Sequence, residues 1–305
     1  MVDLDSAPSA RLVSGPVADW QSTAGWAFEP GRPALNVSSR TGAELHEARN
    51  RLLADQRLMA TQRRVLARQR EINSRLQRAI LPQPEPAAAD VNGMRVAVRY
   101  QGADRSVQVG GDWYLSDPLP GGDLLLAVGD VTGHGLAAAA TMAQLRYAIT
   151  ALAVAGHQPS EILSALNRLL YHQPTNAAAT AVVARYRPDT RTLTWARAGH
   201  PPILLASHGG VGSLWEPAGT ILGVYSDAGY AHATLELHSG DLLLMYTDGF
   251  VEDRHGGIDE GVRVLCDQAR LALQVPLRDR PSALVGRLSL RNPKDDACVL
   301  AAEPL

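Results

Sequence analysis

The sequence predicts a layered α+β domain preceded by one long helix. Three observations carry this expectation. No proline or glycine occurs between Ala43 and Leu81, short β-type runs begin at Met94, and two helical segments interrupt the strands while two more follow them, without strict strand–helix alternation. The 305 residues allow one large domain or two small ones.

Residues 1–40 are rich in Ser, Pro, Gly and Ala without a sustained period and read as a tail, with Trp20 and Trp26 either docking aromatics or incidental ones. Residues 41–82 are full of strong helix formers. Leu45, Leu52, Met59 and Leu66 fall at heptad spacing beside a second series, Leu58, Val65 and Ile72. Nine arginines against four acids make the helix basic. No base-reading motif accompanies them, so a solvated coiled-coil face is favoured over a nucleic-acid surface, and the expectation is a signalling helix that forms a homodimer. Residues 83–90 read as a Pro/Ala-rich hinge, and the compact domain as 91–305.

Within that domain MRVAVRYQG, VGGDWYLSD and DLLLAVGDV read as successive strands, with a Gly-Gly-Asp hairpin turn at 121–123. GLAAAATMAQLRYAITALAVAG and SEILSALNRLLYHQ read as two helices, the second capped by Ser160. Strands return in AATAVVARY, TLTWARAG, PILLAS, ATLELHS and DLLLMYTDG. Helices follow near 259–273 and 281–290, and ACVLAA closes the chain as a buried strand.

Composition excludes several classes. A formal net charge of −2 creates no general pull toward nucleic acid or anionic lipid. No uncharged apolar run suffices to span a bilayer, and the acidic start MVDLDSAPSA lacks the positive flank of a secretory signal, so the expected location is the cytoplasm. Cys266 and Cys298 have no CxxC partner and read as reduced thiols.

The chemistry concentrates in acids at strand ends beside glycine: Asp112 in GGDWY, Asp130 in GDVTGHG, Asp248 in YTDG, and Asp295 with Asp296 in KDDACVL. Any one such Asp commonly caps a turn. Together they form an oxygen-ligand pattern suited to hard divalent cations, Mg²⁺ or Mn²⁺, because carboxylates gathered without a cation repel one another. Gly129, Gly133 and Gly135 let the chain turn around Asp130, and His134 could be a ligand, although a lone His between two glycines more often sets loop geometry or makes a hydrogen bond, which gives Gly133 and His134 a supporting role. Residues 133–138 also match a G-x-G-x-x-G/A dinucleotide fingerprint, which leaves a nucleotide-binding oxidoreductase as a minor alternative. The segment that follows stays helical and supplies no acid at the expected distance. Neither a G-x-x-x-x-G-K-[ST] loop nor a G-x-S-x-G elbow is present.

In order, VGGDWY, GDVTGHGLAAA, ATAVVARY, ARAGHPPILL, ILGV, YTDGFVEDR and DDACVL resemble the metal-dependent protein phosphatases of the type 2C superfamily, in the SpoIIE and RsbU-like branch. The resemblance covers about residues 76–302, and LQRAILP resembles the end of the signalling helix in that branch. It implies a four-layer αββα sandwich with a dinuclear Mn²⁺ or Mg²⁺ centre where the sheets meet. Asp130 would bridge the ions with the Val131 carbonyl as a further ligand, Asp248 and Asp295 would complete the set, and Asp112 would act through water or at a third, accessory ion. Asp296 would support the site, and Gly111 and Gly199 would allow close packing around it. Leu115 stands where the family often has Asp, which bears on metal affinity. The resemblance further implies hydrolysis of phosphoserine or phosphothreonine without a phosphoenzyme, a phosphorylated STAS-type anti-sigma factor antagonist as substrate, and input from an upstream signalling protein. A catalytically weak phosphoprotein-binding module is the alternative within the same fold.

Overall fold

The structure is a computed structural model and describes residues 37–80, 88–101, 110–252, 257–292 and 296–305. Trp20, Trp26 and Asp295 lie outside the described residues, as do most of the predicted tail and hinge.

Helix α1 runs Val37–Ile80, starting upstream of the expected Thr41. Gly42 lies within it and does not stop it, since a single glycine costs only about 1 kcal/mol relative to alanine. Leu45, Leu52, Met59 and Leu66 are all more than half exposed among the described residues.

The compact domain is a sandwich of two antiparallel sheets. Strands β1 (Ala89–Val91), β2 (Met94–Gln101), β7 (Ile203–Ser207), β8 (Gly210–Leu214), β10 (Leu242–Tyr246) and β11 (Ala297–Pro304) form a six-stranded sheet in the order β1-β2-β11-β10-β7-β8. Strands β3 (Trp113–Pro118), β4 (Leu124–Val131), β5 (Ala179–Arg187), β6 (Thr192–Ala198) and β9 (Ala233–Glu236) form a five-stranded sheet in that order. Helices α2 (Leu136–Val154) and α3 (Pro159–Tyr171) cover the five-stranded sheet, and α4 (Ile258–Ala272) and α5 (Arg280–Arg287) cover the other.

Strand alternation builds these layers directly, because successive side chains point to opposite faces. Along β4, Leu124, Leu126 and Val128 enter the core between the sheets while Leu125 and Ala127 meet Met142, Leu145 and Ile149 of α2. Along β11, Cys298, Leu300 and Ala302 face the other sheet while Val299 and Ala301 meet Leu265 and Leu284. Both faces of each sheet are covered, which explains why these strands read as continuous apolar runs. Helix α2 is the one described helix long and apolar enough to cross a membrane, yet its Ala138, Met142, Leu145 and Ile149 are buried in this core.

Several local expectations are corrected. Ser160 does not cap α3; Gln158 does, with Pro159 at the first helical position and the Glu161 carboxylate accepting the Gln158 N–H at 2.8 Å. Ser160 lies inside the helix and its Oγ pairs with His232 Nδ1 at 2.9 Å. The dinucleotide fingerprint fails because β4 pairs antiparallel with both β3 and β5, so the parallel βαβ crossover that the motif requires does not form. Strands β1 and β8 have no counterpart in the sequence reading. They are short or Gly-containing edge strands with no fully buried residue. The hairpin at 121–123 forms as expected, with Gly121 and Gly122 at positive φ.

Candidate metal centre

The acids converge because strands from both sheets end at the same edge of the sandwich. Asp130 is the penultimate residue of β4 and stands opposite Thr180 of β5. Asp112 immediately precedes β3. Asp248 opens a short 3₁₀ turn just after β10, with its carbonyl accepting Val251 N–H at 2.8 Å. Asp296 immediately precedes β11.

Asp112 is 2% exposed. Its Oδ2 accepts the Thr247 hydroxyl at 2.7 Å, and Thr247 Oγ1 in turn accepts the Cys298 N–H at 2.8 Å. Burial pushes the Asp112 carboxyl well above its usual range, the nearby charge of Asp130 adds to this, and Asp248 and Asp296 push the same way against the Thr247 hydrogen bond. Three further acids therefore lie within electrostatic reach of one buried carboxylate.

Close backbone approach is built into the same edge. A Cβ on Gly111 would stand 2.2 Å from the Val131 carbonyl oxygen and 2.7 Å from Asp130 Oδ1, so only glycine lets the Val131 oxygen and the Asp130 carboxylate lie against this backbone. A Cβ on Gly249 would stand 2.5 Å from the Asp296 carbonyl oxygen. Gly133 and Gly135 adopt positive φ, as the loop from β4 into α2 requires, and His134 between them is exposed. Thr132 ties that loop down, its N–H and hydroxyl donating to the Ala178 carbonyl at 2.9 and 3.0 Å. Gly199, at φ +61°, packs against the Ile221 backbone and not against the acids.

The donor chemistry fits a hard divalent cation: carboxylates, a backbone carbonyl held close by Gly111, and a buried acid with three further acids in electrostatic reach. Among the described residues no three His, Cys, Asp or Glu side chains are gathered tightly enough to hold an ion by themselves. The Val131 carbonyl and Asp295, the latter outside the described residues, are the remaining members of the expected set.

Sequence reasoning missed two residues of this edge. Thr247 holds Asp112, and its only sequence signal is its place beside Asp248. Tyr100 on β2 has a buried hydroxyl without a hydrogen-bond partner, and after burial itself the charges of Asp296, Asp112 and Asp130 are among the causes that push it upward. Leu115 is 2% exposed and packs in the layer facing α2 and α3, so its role here is apolar packing.

A family model described as Stage II sporulation protein E (SpoIIE) matches residues 120–304. The chain belongs to the SpoIIE family. It is similar to the phosphoserine phosphatase RsbU of Bacillus subtilis (strain 168), with 29% identity over 191 residues, 60% of this chain and 53% of that protein. It is also similar to the phosphoserine phosphatase RsbP of the same organism, with 25% identity over 128 residues, 40% of this chain and 32% of that protein. The matched regions thus span about half or less of these relatives. Among solved structures it resembles the RsbU and RsbW domains of a Mycobacterium tuberculosis protein, with 30% identity, a TM-score of 0.61, and coverage of 72% of this chain and 63% of that one. The SiaA-PP2C domain of Pseudomonas aeruginosa, at 22% identity, shares the fold with a TM-score of 0.63, covering 81% of this chain and 98% of that one. The SpoIIE-family sandwich here accordingly shares its fold with a PP2C domain. Its acidic edge is the place where the β3, β4, β10 and β11 ends meet.

Proposed function

We propose that the chain is a metal-dependent protein phosphatase that hydrolyses phosphoserine or phosphothreonine. The observation that carries this reading is the buried Asp112 carboxylate set among Asp130, Asp248 and Asp296 at one edge of a SpoIIE-family sandwich. Asp130, the Val131 carbonyl, Asp248 and Asp295 would hold Mn²⁺ or Mg²⁺, with Asp112 in support. Bound cations would neutralise the phosphoryl oxygens and favour in-line attack by water. The chain's own contribution is positional. Thr247 fixes the Asp112 carboxylate, Gly111 admits the Val131 carbonyl, and Thr132 anchors the loop beyond Asp130 to the start of β5.

The substrate is a phosphorylated STAS-type anti-sigma factor antagonist in a partner-switching pathway. The phosphoserine phosphatase names of the two Bacillus subtilis relatives and the RsbU and RsbW domains of the Mycobacterium tuberculosis structure support this. Helix α1 forms a homodimer through its exposed heptad stripe and receives a signal from an upstream protein, in the cytoplasm. Light scattering after gel filtration tests the dimer, and a monomer at all concentrations would refute it.

Hydrolysis of a phosphoserine peptide and of p-nitrophenyl phosphate across a Mn²⁺ titration tests the activity. Metal-dependent turnover lost in both Asp130→Asn and Asp248→Asn is expected. Silence of folded protein at every metal concentration would favour a phosphoprotein-binding module of the same fold.

A further inference from the structure

Asp112 and Asp130 meet because of a pairing that lies one step inside them. In the antiparallel register of β3 and β4, Trp113 stands opposite Gly129. The ladder continues past the start of β3, since the Val131 N–H donates to the Gly111 carbonyl at 3.2 Å. Asp112 and Asp130 therefore stand directly opposite each other, and such cross-strand neighbours have Cβ atoms about 4.5–5.5 Å apart. Alternation puts these two carboxylates on the face toward the other sheet, where Asp112 takes the Thr247 hydroxyl. It puts Trp113 and Gly129 on the face toward α2 and α3.

Trp113 and Gly129 fit as a pair. A Cβ on Gly129 would stand 2.3 and 2.4 Å from Trp113 Cζ2 and Cη2, so the six-membered ring of the indole lies against the bare glycine backbone. The indole is fully buried, and its Nε1–H has no hydrogen-bond partner among the described residues. A buried tryptophan ordinarily finds one, so what this ring supplies is shape. Gly129 is the one glycine of β4. A shift of two residues would set Trp113 against Ala127 or Val131, whose Cβ atoms would lift the ring, and a shift of one would turn a carboxylate to the helix-facing side.

We propose that Trp113 is a positioning residue: seated on Gly129, it fixes the register of β3 and β4 at the end where the acids lie and so holds Asp112 beside Asp130 for a divalent cation. The inference rests on the metal-centre reading above and concerns how the sheet maintains it. Trp113 touches neither substrate nor ion, because its ring lies on the opposite face of the sheet from the carboxylates.

Calorimetric Mn²⁺ binding to the full chain, paired with thermal unfolding, tests it. Trp113→Leu removes the ring and is expected to weaken Mn²⁺ binding by about tenfold or more. Trp113→Phe keeps an aromatic ring of shorter reach, loses less, and serves if Trp113→Leu does not fold. Leu166→Ala, in the same buried cluster, is the control for stability alone: it lowers the melting temperature and leaves Mn²⁺ affinity unchanged. Wild-type protein that binds Mn²⁺, with both Trp113 variants binding it equally well, overturns the positioning role alone. A loss of affinity in Leu166→Ala as large as that in Trp113→Leu overturns it too. No Mn²⁺ binding by the wild type overturns the metal reading, and this inference with it.

Discussion

Strand β11 carries a buried acid near each end, and the two ends solve the same electrostatic problem differently. At its start, Asp296 and the adjacent Asp112 lie with Asp130 and Asp248, and the largest relief Asp112 receives from the protein is one threonine hydroxyl. At its far end, Glu303 is 3% exposed and faces Arg280 at 3.6 Å, with Arg95 as its register partner on β2. Burial still raises the Glu303 carboxyl to about 7, while Arg280 and Arg95 draw it down. Arg280 is itself held by the Gly240, Leu273 and Val275 carbonyls at 3.1, 2.9 and 3.0 Å. The far end neutralises its acid with cations the sequence encodes. The near end gathers acids, a charge that the proposed metal centre would balance.

The comparison breaks most visibly if an acid of the near end is neutralised without consequence. Asp130→Asn is expected to reduce Mn²⁺-dependent turnover by about a hundredfold or more, equivalent to about 3 kcal/mol of transition-state stabilisation, with the fold retained by circular dichroism. Unchanged turnover would remove Asp130 from the centre.

At the far end the readout is pH. The Glu303 carboxyl is raised in the folded chain from an ordinary 4.5 to about 7, so the native state holds this proton more tightly than the unfolded state does. Its contribution to stability is therefore complete below about 4.5 and is lost as pH rises through about 7, amounting to about 3 kcal/mol at most. Urea midpoints should fall across that window in the wild type, and Glu303→Gln should flatten the slope. A slope identical in both proteins would show that Glu303 does not titrate there.

Metal distinguishes the ends next. Mn²⁺ at a hundred times its dissociation constant should stabilise the chain by about 2.7 kcal/mol in urea unfolding, reversibly with chelator. Asp130→Asn should lose most of this gain and Glu303→Gln none of it.

The smallest expected effect is steric. Gly111→Ala places a Cβ 2.2 Å from the Val131 oxygen and should cost about 1–3 kcal/mol while weakening Mn²⁺ binding. Gly121→Ala, at a turn where a Cβ meets nothing within 4 Å, is the comparison; its positive φ makes it strained as well, but it should leave Mn²⁺ affinity unchanged.

Legibility in the sequence followed locality. The hairpin at 121–123 and the apolar runs of β4, β10 and β11 are written in neighbouring residues, because strand burial and turn chemistry act over a few positions. Asp130 and Asp248 were visible through the glycines that flank them. Edge strands β1 and β8 were not visible, since short edge strands bury too little to need a pattern. The cap of α3 was misread because Ser160, Gln158 and Pro159 all suit a helix start, and only the Glu161 hydrogen bond to Gln158 distinguishes among them.

By itself the sequence determined the class of the fold, the basic heptad-patterned helix and the identity of the acids, because composition and periodicity are properties of the chain that hold before it folds. Tertiary structure alone decided that Asp112 is fixed by Thr247, that Leu115 packs toward helices, and that His200 pairs with Thr180. Each of these depends on which strands lie side by side and which face a residue occupies. Residues far apart in the chain meet only when the two sheets close on one another, and no local pattern encodes that meeting.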